Sequence, residues 1–306
     1  MLGRGVPSRV QERGKENQKK SQERHEGRQP TAAVACQFPV PRPEKKRTYL
    51  FGDNDRALER LHVLARVFGP ATETFLRRHR DRHPPLGGAV IFDLGCGPGR
   101  TTRLLADVFE QKVIGLDNSQ ALLWEARRLG PERVGFDHFD ASRDELPREA
   151  DLVFGRFLLT HLPSPDGRVR AWGRRLRASG CLLSEEVEDI ETDNAAFVRY
   201  LEIVRRARER QGGKLYVGPE LGSLDPIPRL RVADSLVAGL DVTDTDAARM
   251  FSLNLPTLMQ TREVRAIADR EELETLQHEL DDIAYSGSTQ SSIRWSMRQI
   301  VWQAER

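Results

Sequence analysis

The chain has 306 residues, enough for one large domain or two small ones. Its formal net charge of +2 is unevenly spread: residues 1–47 hold twelve Lys and Arg against five Asp and Glu, and the remainder is net acidic. An acidic folded part matches nucleic acid poorly, no apolar run approaches the roughly 18 residues of a membrane span, and three scattered cysteines make neither a disulfide framework nor a zinc site.

Residues 1–46 are rich in Lys, Arg, Glu, Gln, Gly and Pro, with one short apolar island at 32–36. Such a composition cannot bury enough surface to offset ordering entropy, so a disordered basic tail is expected, the alternative being an arm that binds nucleic acid or membrane. The N-terminus shows no apolar signal region, and Glu12, Glu16, Glu23 and Glu26 argue against a mitochondrial presequence. A cytoplasmic protein is expected, with one domain over 47–306.

Order is expected from Tyr49. Leu58, Leu61, Leu64 and Phe68 recur at helical spacing, and Asp53, Asn54 or Asp55 can cap that helix. Gly69-Pro70 predicts its end, with a second helix over 71–80, so that N-terminal helices fill 55–80. Strands are predicted at 89–93, 112–117, 133–139, 150–155 and 181–184, with helices between them. After 211 the pattern weakens. A sixth strand fits 229–238, a helical insertion about 241–287, and a last strand 292–303, which would enter antiparallel beside the fifth. The fold class is α/β, a doubly wound, mostly parallel seven-stranded sheet with a helical lid.

Residues 93–99 read DLGCGPG, placed between the first strand and the next helix. In a doubly wound sheet this turn sits at the switch point where ligands bind. Gly95, Gly97 and Gly99 permit positive φ and a close ligand approach. A dinucleotide fingerprint would place its third glycine one position later, where Arg100 stands. Asp93 would repel a pyrophosphate but suits a ligand carrying an ammonium group.

These residues resemble the first motif of the class I S-adenosylmethionine-dependent methyltransferases. Residues 113–119, VIGLDNS, resemble the second, and 136–142, FDHFDAS, the third. The resemblance covers about 47–210 and is closest to small-molecule members of the ubiquinone, menaquinone and antibiotic pathways. It implies that S-adenosylmethionine is held by the loop (Asp93, Gly95, Cys96, Gly97, Gly99). Asp117, beside Asn118, would take the ribose hydroxyls, and Asp140 with the Ala141 amide the adenine. Tyr49 is a further cofactor contact by the same resemblance, and Arg156, at the end of the fourth strand, is placed to touch either the cofactor or an acidic substrate. Cys96 reads otherwise as a small spacer between glycines, Asp117 as a helix cap, Asp140 as a turn aspartate and Tyr49 as a core tyrosine.

The expected reaction is in-line methyl transfer to an oxygen or nitrogen of a small, secondary-metabolite type of acceptor. The turn signatures of adenine-N6 and cytosine-C5 enzymes are missing after the fourth strand, and no acid stands there to hold a metal. A base is needed only for a protonated acceptor. His161 is the first candidate, with Glu186 and neighbouring Glu185 as competitors; His161 could equally be a turn residue. The rival readings are a non-catalytic methyltransferase-like binding protein and an NAD(P)-dependent oxidoreductase.

Overall fold

The computed structural model describes residues 54–128, 133–286 and 292–305. Tyr49 and the basic tail lie outside them.

The described chain opens with α1 (Asp55–Arg82) and then alternates: β1 (Ile91–Leu94), α2 (Arg100–Phe109), β2 (Val113–Asp117), α3 (Gln120–Arg128), β3 (Val134–His138) and β4 (Ala150–Arg156). A 3-10 turn (Leu159–His161) leads to α4 (Pro165–Gly173), β5 (Leu176–Glu191), α5 (Ala195–Arg210) and α6 (Gly218–Gly222). Then come β6 (Leu230–Thr243), α7 (Asp244–Leu258), α8 (Arg262–Arg265), α9 (Arg270–Ser286) and β7 (Ser292–Ala304).

The strands form one seven-stranded sheet in the order β3-β2-β1-β4-β5-β7-β6. β1 is an interior strand, buried along its whole length and parallel to both β2 and β4. That burial explains why its sequence is a continuous apolar run broken only by Asp93. β7 enters antiparallel between β5 and β6, as the sequence predicted for the last strand. Successive strands are added on one side of β1 (β2, then β3) and then on the other (β4, then β5), which puts the switch point at its carboxyl end.

α1 is a single helix, not the two expected. Pro70 lies inside it and cannot donate to the carbonyl one turn back, a loss of about 3 kcal/mol in a helix interior. The helix continues because its buried face does: Phe68, Thr72, Phe75, Leu76 and His79 all face the core. The Thr74 hydroxyl donates to the Pro70 carbonyl at 2.9 Å, and the Thr72 hydroxyl oxygen lies 3.0 Å from the Phe68 carbonyl, so polar side chains line the helix around the proline. Asn54 supplies the N-cap, accepting from the Ala57 amide at 3.0 Å. In its first turns the helix buries Ala57, Arg60 and Val63, one position round from the leucine stripe read in the sequence.

β5 is far longer than the 181–184 core predicted for it. It begins at Leu176, which pairs with Ala150 at the start of β4; a register shift then leads to the Leu152–Cys181 pair.

α7, α8 and α9 form a helical segment inserted between β6 and β7. Its apolar face, with Met250, Phe251, Leu255, Leu258, Leu273, Leu276 and Leu280, joins one core cluster with Phe68 of α1 and Phe197 and Tyr200 of α5. Arg66 pairs bidentately with Asp246, and Arg249 meets Glu59 at 2.6 Å, so α7 is also tied to α1 at the surface. No described helix is long and apolar enough to cross a membrane.

Candidate active site

β1 delivers the chain into the glycine turn at the carboxyl edge of the sheet. Gly95, Gly97 and Gly99 take φ of 66°, 52° and 75°, which L side chains rarely adopt. At Gly99 a side chain is excluded twice over, because a Cβ would lie 2.6 Å from the Phe136 ring. Gly95 is the exposed member of the three; Gly97 and Gly99 are covered.

The loop amides are committed within the protein. Gly95 and Cys96 both donate to the Leu116 carbonyl, at 2.8 and 3.2 Å, and Gly99 donates to the Cys96 carbonyl at 2.9 Å. Gly97 donates to Oδ2 of Asp117 at 2.8 Å. A phosphate cradle needs such amides pointing outward. Here they bind the loop to β2 instead, with two carboxylates, Asp93 and Asp117, beneath and beside it. That pair of acceptors rejects a pyrophosphate and fits a nucleoside whose sugar offers hydroxyl protons.

Asp117 ends β2. Its Oδ1 accepts from the Ser119 amide at 2.8 Å, its other oxygen serves Gly97, and burial pushes its carboxyl up while these amides pull it down. An ionised carboxylate has about four acceptor sites, so lone pairs remain for hydroxyl donors. Asn118 is exposed beside it.

Several expected contacts are placed differently. Asp93 is 1 % exposed and lies under the loop, where Thr102 Oγ1 donates to it at 2.7 Å. Burial pushes its carboxyl up to about 7, against the pull of that hydroxyl and of Arg156. Cys96, expected at the cofactor, turns its side chain into the core, where its Sγ would lie 2.9 Å from a Cβ on Gly115. Asp140 accepts from the amide and hydroxyl of Ser142, at 3.0 and 2.6 Å, and meets Arg143 at 2.8 Å. Burial raises its carboxyl, but these contacts outweigh it and hold it below the usual range. The carboxylate therefore shapes its own turn, which carries buried Ala141.

Arg156, at the end of β4, also points inward. Its Nη1 donates to Thr72 Oγ1 at 3.0 Å, and the charges acting on it are those of Glu185 and Asp93. Glu185 accepts from Thr72 Oγ1 at 2.5 Å and Gln299 Nε2 at 2.6 Å. This buried network joins α1, β4, β5 and β7 behind the loop.

Neither candidate base is free to act as one. Glu186 is 0 % exposed and accepts the amides of Leu158 at 2.8 Å, Leu159 at 2.7 Å and Thr160 at 3.5 Å. It latches the turn after β4, satisfying amides at the start of the 3-10 segment. Burial pushes its carboxyl up to about 8. His161 is part-buried, and desolvation, then Arg208, then Arg60 press its pKa well below the ordinary histidine value. A ring so poor in proton affinity is a weak base. Among the described residues no group of three His, Cys, Asp or Glu could hold a metal.

The sequence reading did not single out two buried polar side chains of the helices. Arg60 of α1 is 7 % exposed. Tyr200 of α5 stacks on Phe251 of α7 with ring centroids 4.2 Å apart, and its hydroxyl accepts from Asn254 Nδ2 at 3.0 Å. Ala57, Arg60 and Val63 do recur at helical spacing, the signal that could have found Arg60, but an arginine counts as surface in any apolar-periodicity count.

A doubly wound, mostly parallel sheet with an antiparallel seventh strand is the Rossmann-like fold of the class I S-adenosylmethionine-dependent methyltransferases. Residues 91–180 match a family described as a methyltransferase domain, and they are such a domain. The trans-aconitate 2-methyltransferase of Methylobacterium nodulans is 34% identical over 119 residues, 39% of this chain and 46% of that protein. That of Streptomyces coelicolor is 34% identical over 131 residues, 41% and 43% of the two chains. The matched stretch thus spans under half of either relative. A Bacillus halodurans protein whose crystal structure carries the methyltransferase name shares the fold, with a TM-score of 0.50 over 76% of this chain and 99% of that one, at 18% identity.

Proposed function

We propose that this chain transfers a methyl group from S-adenosylmethionine to an oxygen or nitrogen of a small organic acceptor. The observation that carries this is the Asp117 carboxylate at the β2 tip, set against a glycine turn whose amides are spent on β2. Asp117 would accept the ribose hydroxyls, Gly95 would leave room for the amino-acid part, and the turn held by Asp140 would bring the Ala141 amide to the adenine. When bound, the cofactor supplies a methyl carbon already made electrophilic by its sulfonium. The residues then have to align an acceptor with it and exclude water; such alignment reaches effective molarities of about 10⁵ M or more.

The curated relatives are named for trans-aconitate, which supports a small-molecule acceptor rather than a polymer. The inserted helices α7 and α9 would act as the lid over that acceptor. A cytoplasmic site of action and the lack of a nucleic-acid partner belong to the same reading. Transfer of labelled methyl from S-adenosylmethionine into a panel of small acceptors tests it. Binding of S-adenosylhomocysteine without turnover on any of them would instead favour a binding module.

A further inference from the structure

The two edges of the sheet differ. β3 is five residues long, whereas β6 runs for fourteen, and only β7 pairs with it. A register shift between Val232 and Asp234 bulges β6 near its start, and from Asp234 to Thr243 its pairing with β7 is continuous. Leu230 and Val242 are buried, but no residue from Arg231 to Asp241 is, and Val232 and Val237 are 56 % and 46 % exposed. Among the described residues the backbone of 234–242 makes no backbone hydrogen bond outside the β7 ladder. A free edge of this length is ordinarily blunted by Lys or Pro, or covered; β6 has neither Lys nor Pro.

Every second residue of an antiparallel strand turns its amide and carbonyl away from the neighbouring strand. β6 therefore presents a row of backbone donors and acceptors along its free side. A twofold axis normal to the sheet would pair it, antiparallel, with β6 of a second copy and keep each face of the sheet on its own side. Directly opposed residues share a face, so within the bulge-free segment the axis passes through a residue and not between two. An axis at Ala238 sets Leu236 against Leu240, Val237 against Gly239 and Ser235 against Asp241 of the second copy, each pair occurring twice. Moving it to Gly239 would set Val237 against Asp241, and moving it to Val237 would run Asp241 into the bulge. The axis at Ala238 also brings each Asp241 to a cation of the other chain, because Arg298 Nη1 donates to Ser235 Oγ at 3.3 Å while its Nε and Nη2 hold Glu188. Within one chain Asp241 makes an exposed pair with Arg294 at 3.0 Å, a kind of contact that is weak in water.

We propose that the chain forms a homodimer joined edge to edge through β6, with Ala238 on the twofold axis, so that one sheet runs continuously across both copies. The occupant of the edge is a second copy and not a strand of another protein because the edge complements itself. Leucine meets leucine, a small residue stands at the axis, and each Asp241 carboxylate meets the Arg298 guanidinium of the other chain. The proposal is independent of the methyl-transfer reading, since β6 lies three strands away from β1 and its glycine turn.

Sedimentation velocity of the full chain under reducing conditions, from about 1 to about 100 μM, reads the assembly directly. The parent should sediment at twice the 34.7 kDa of one chain. A single-chain mass at the highest concentration overturns the proposal and leaves the edge to a strand of another protein. Ala238→Lys sets two ammonium groups against each other at the axis and should weaken the dimer at least about 100-fold with the far-ultraviolet circular dichroism unchanged. A dimer unmoved by that change overturns the proposal. Ala238→Cys keeps the edge intact and should give a disulfide-linked pair of chains on mild oxidation, above the parent's own background, because opposed residues of antiparallel strands stand about 4.5–5.5 Å apart at Cα. Ser235→Cys should not, since its two copies would lie about 20 Å apart along the strands. Failure of position 238 to cross-link, or linking through 235 in preference, overturns the register and the proposal with it.

Discussion

Replacing Glu186 separates a structural latch from a catalytic base. Both short bonds, from the Leu158 and Leu159 amides, go to the same oxygen, Oε1, while Oε2 has only the long contact to Thr160. Glutamine keeps Oε1 and loses only the weak contact. Alanine strands two buried amides at about 1–3 kcal/mol each and leaves a small cavity, about 3–5 kcal/mol in all. The pH dependence has a definite sign. Burial holds the folded carboxyl at about 8 against an ordinary 4.5. Between those values the folded protein keeps a proton that the unfolded chain releases, so its contribution to stability is full below about 4.5 and is lost as pH rises through 8. Glutamine cannot ionise, so its variant should escape that loss. Urea unfolding at pH 6 and pH 8.5 measures this. Glu186→Gln should lie within about 1 kcal/mol of the parent at pH 6 and gain on it at pH 8.5, with turnover within tenfold, while Glu186→Ala should be several kcal/mol weaker at both. The reasoning is refuted if the glutamine variant is as unstable as the alanine one, or if it is stable yet loses activity by a factor of a thousand.

Asp117→Ala should weaken S-adenosylhomocysteine binding at least tenfold by calorimetry, about 1.5 kcal/mol for a charge-assisted pair of bonds; unchanged affinity would mean that β2 does not end at the cofactor. Gly99→Ala should lose about 2–4 kcal/mol in thermal unfolding, since the new Cβ meets the Phe136 ring at a φ of 75°. An unaffected melting temperature would contradict that close approach. Thr72→Val should lose about 2–3 kcal/mol, because its hydroxyl serves both Glu185 and Arg156 in a buried network; a neutral change would show the network to be dispensable.

The sheet was legible in the sequence because each parallel strand is an apolar run closed by a turn signal, and because Asp93, Asp117 and Asp140 mark strand ends by residue type. The insertion of β7 beside β5 was legible from a strand-like end following a helical stretch. What failed was direction. Cys96, Arg156 and Glu186 stand at the expected positions, but whether a side chain faces the ligand or the core depends on partners distant in sequence: Thr72 for Arg156, the Leu158 and Leu159 amides for Glu186. Pro70 misled because helix propensity is local, while the face formed by Phe68, Thr72, Phe75 and Leu76 is selected by tertiary packing. Arg60 was hidden because a buried charge breaks the apolar periodicity that marks a core face.

The central claim is that Asp117 and the glycine turn receive a nucleoside carrying an amino acid, not a dinucleotide. Titration calorimetry of the full chain with S-adenosylhomocysteine, and separately with NADH, tests it most directly. One equivalent of S-adenosylhomocysteine should bind with micromolar affinity and NADH should give no heat of binding. Saturable NADH binding with no response to S-adenosylhomocysteine would contradict the account.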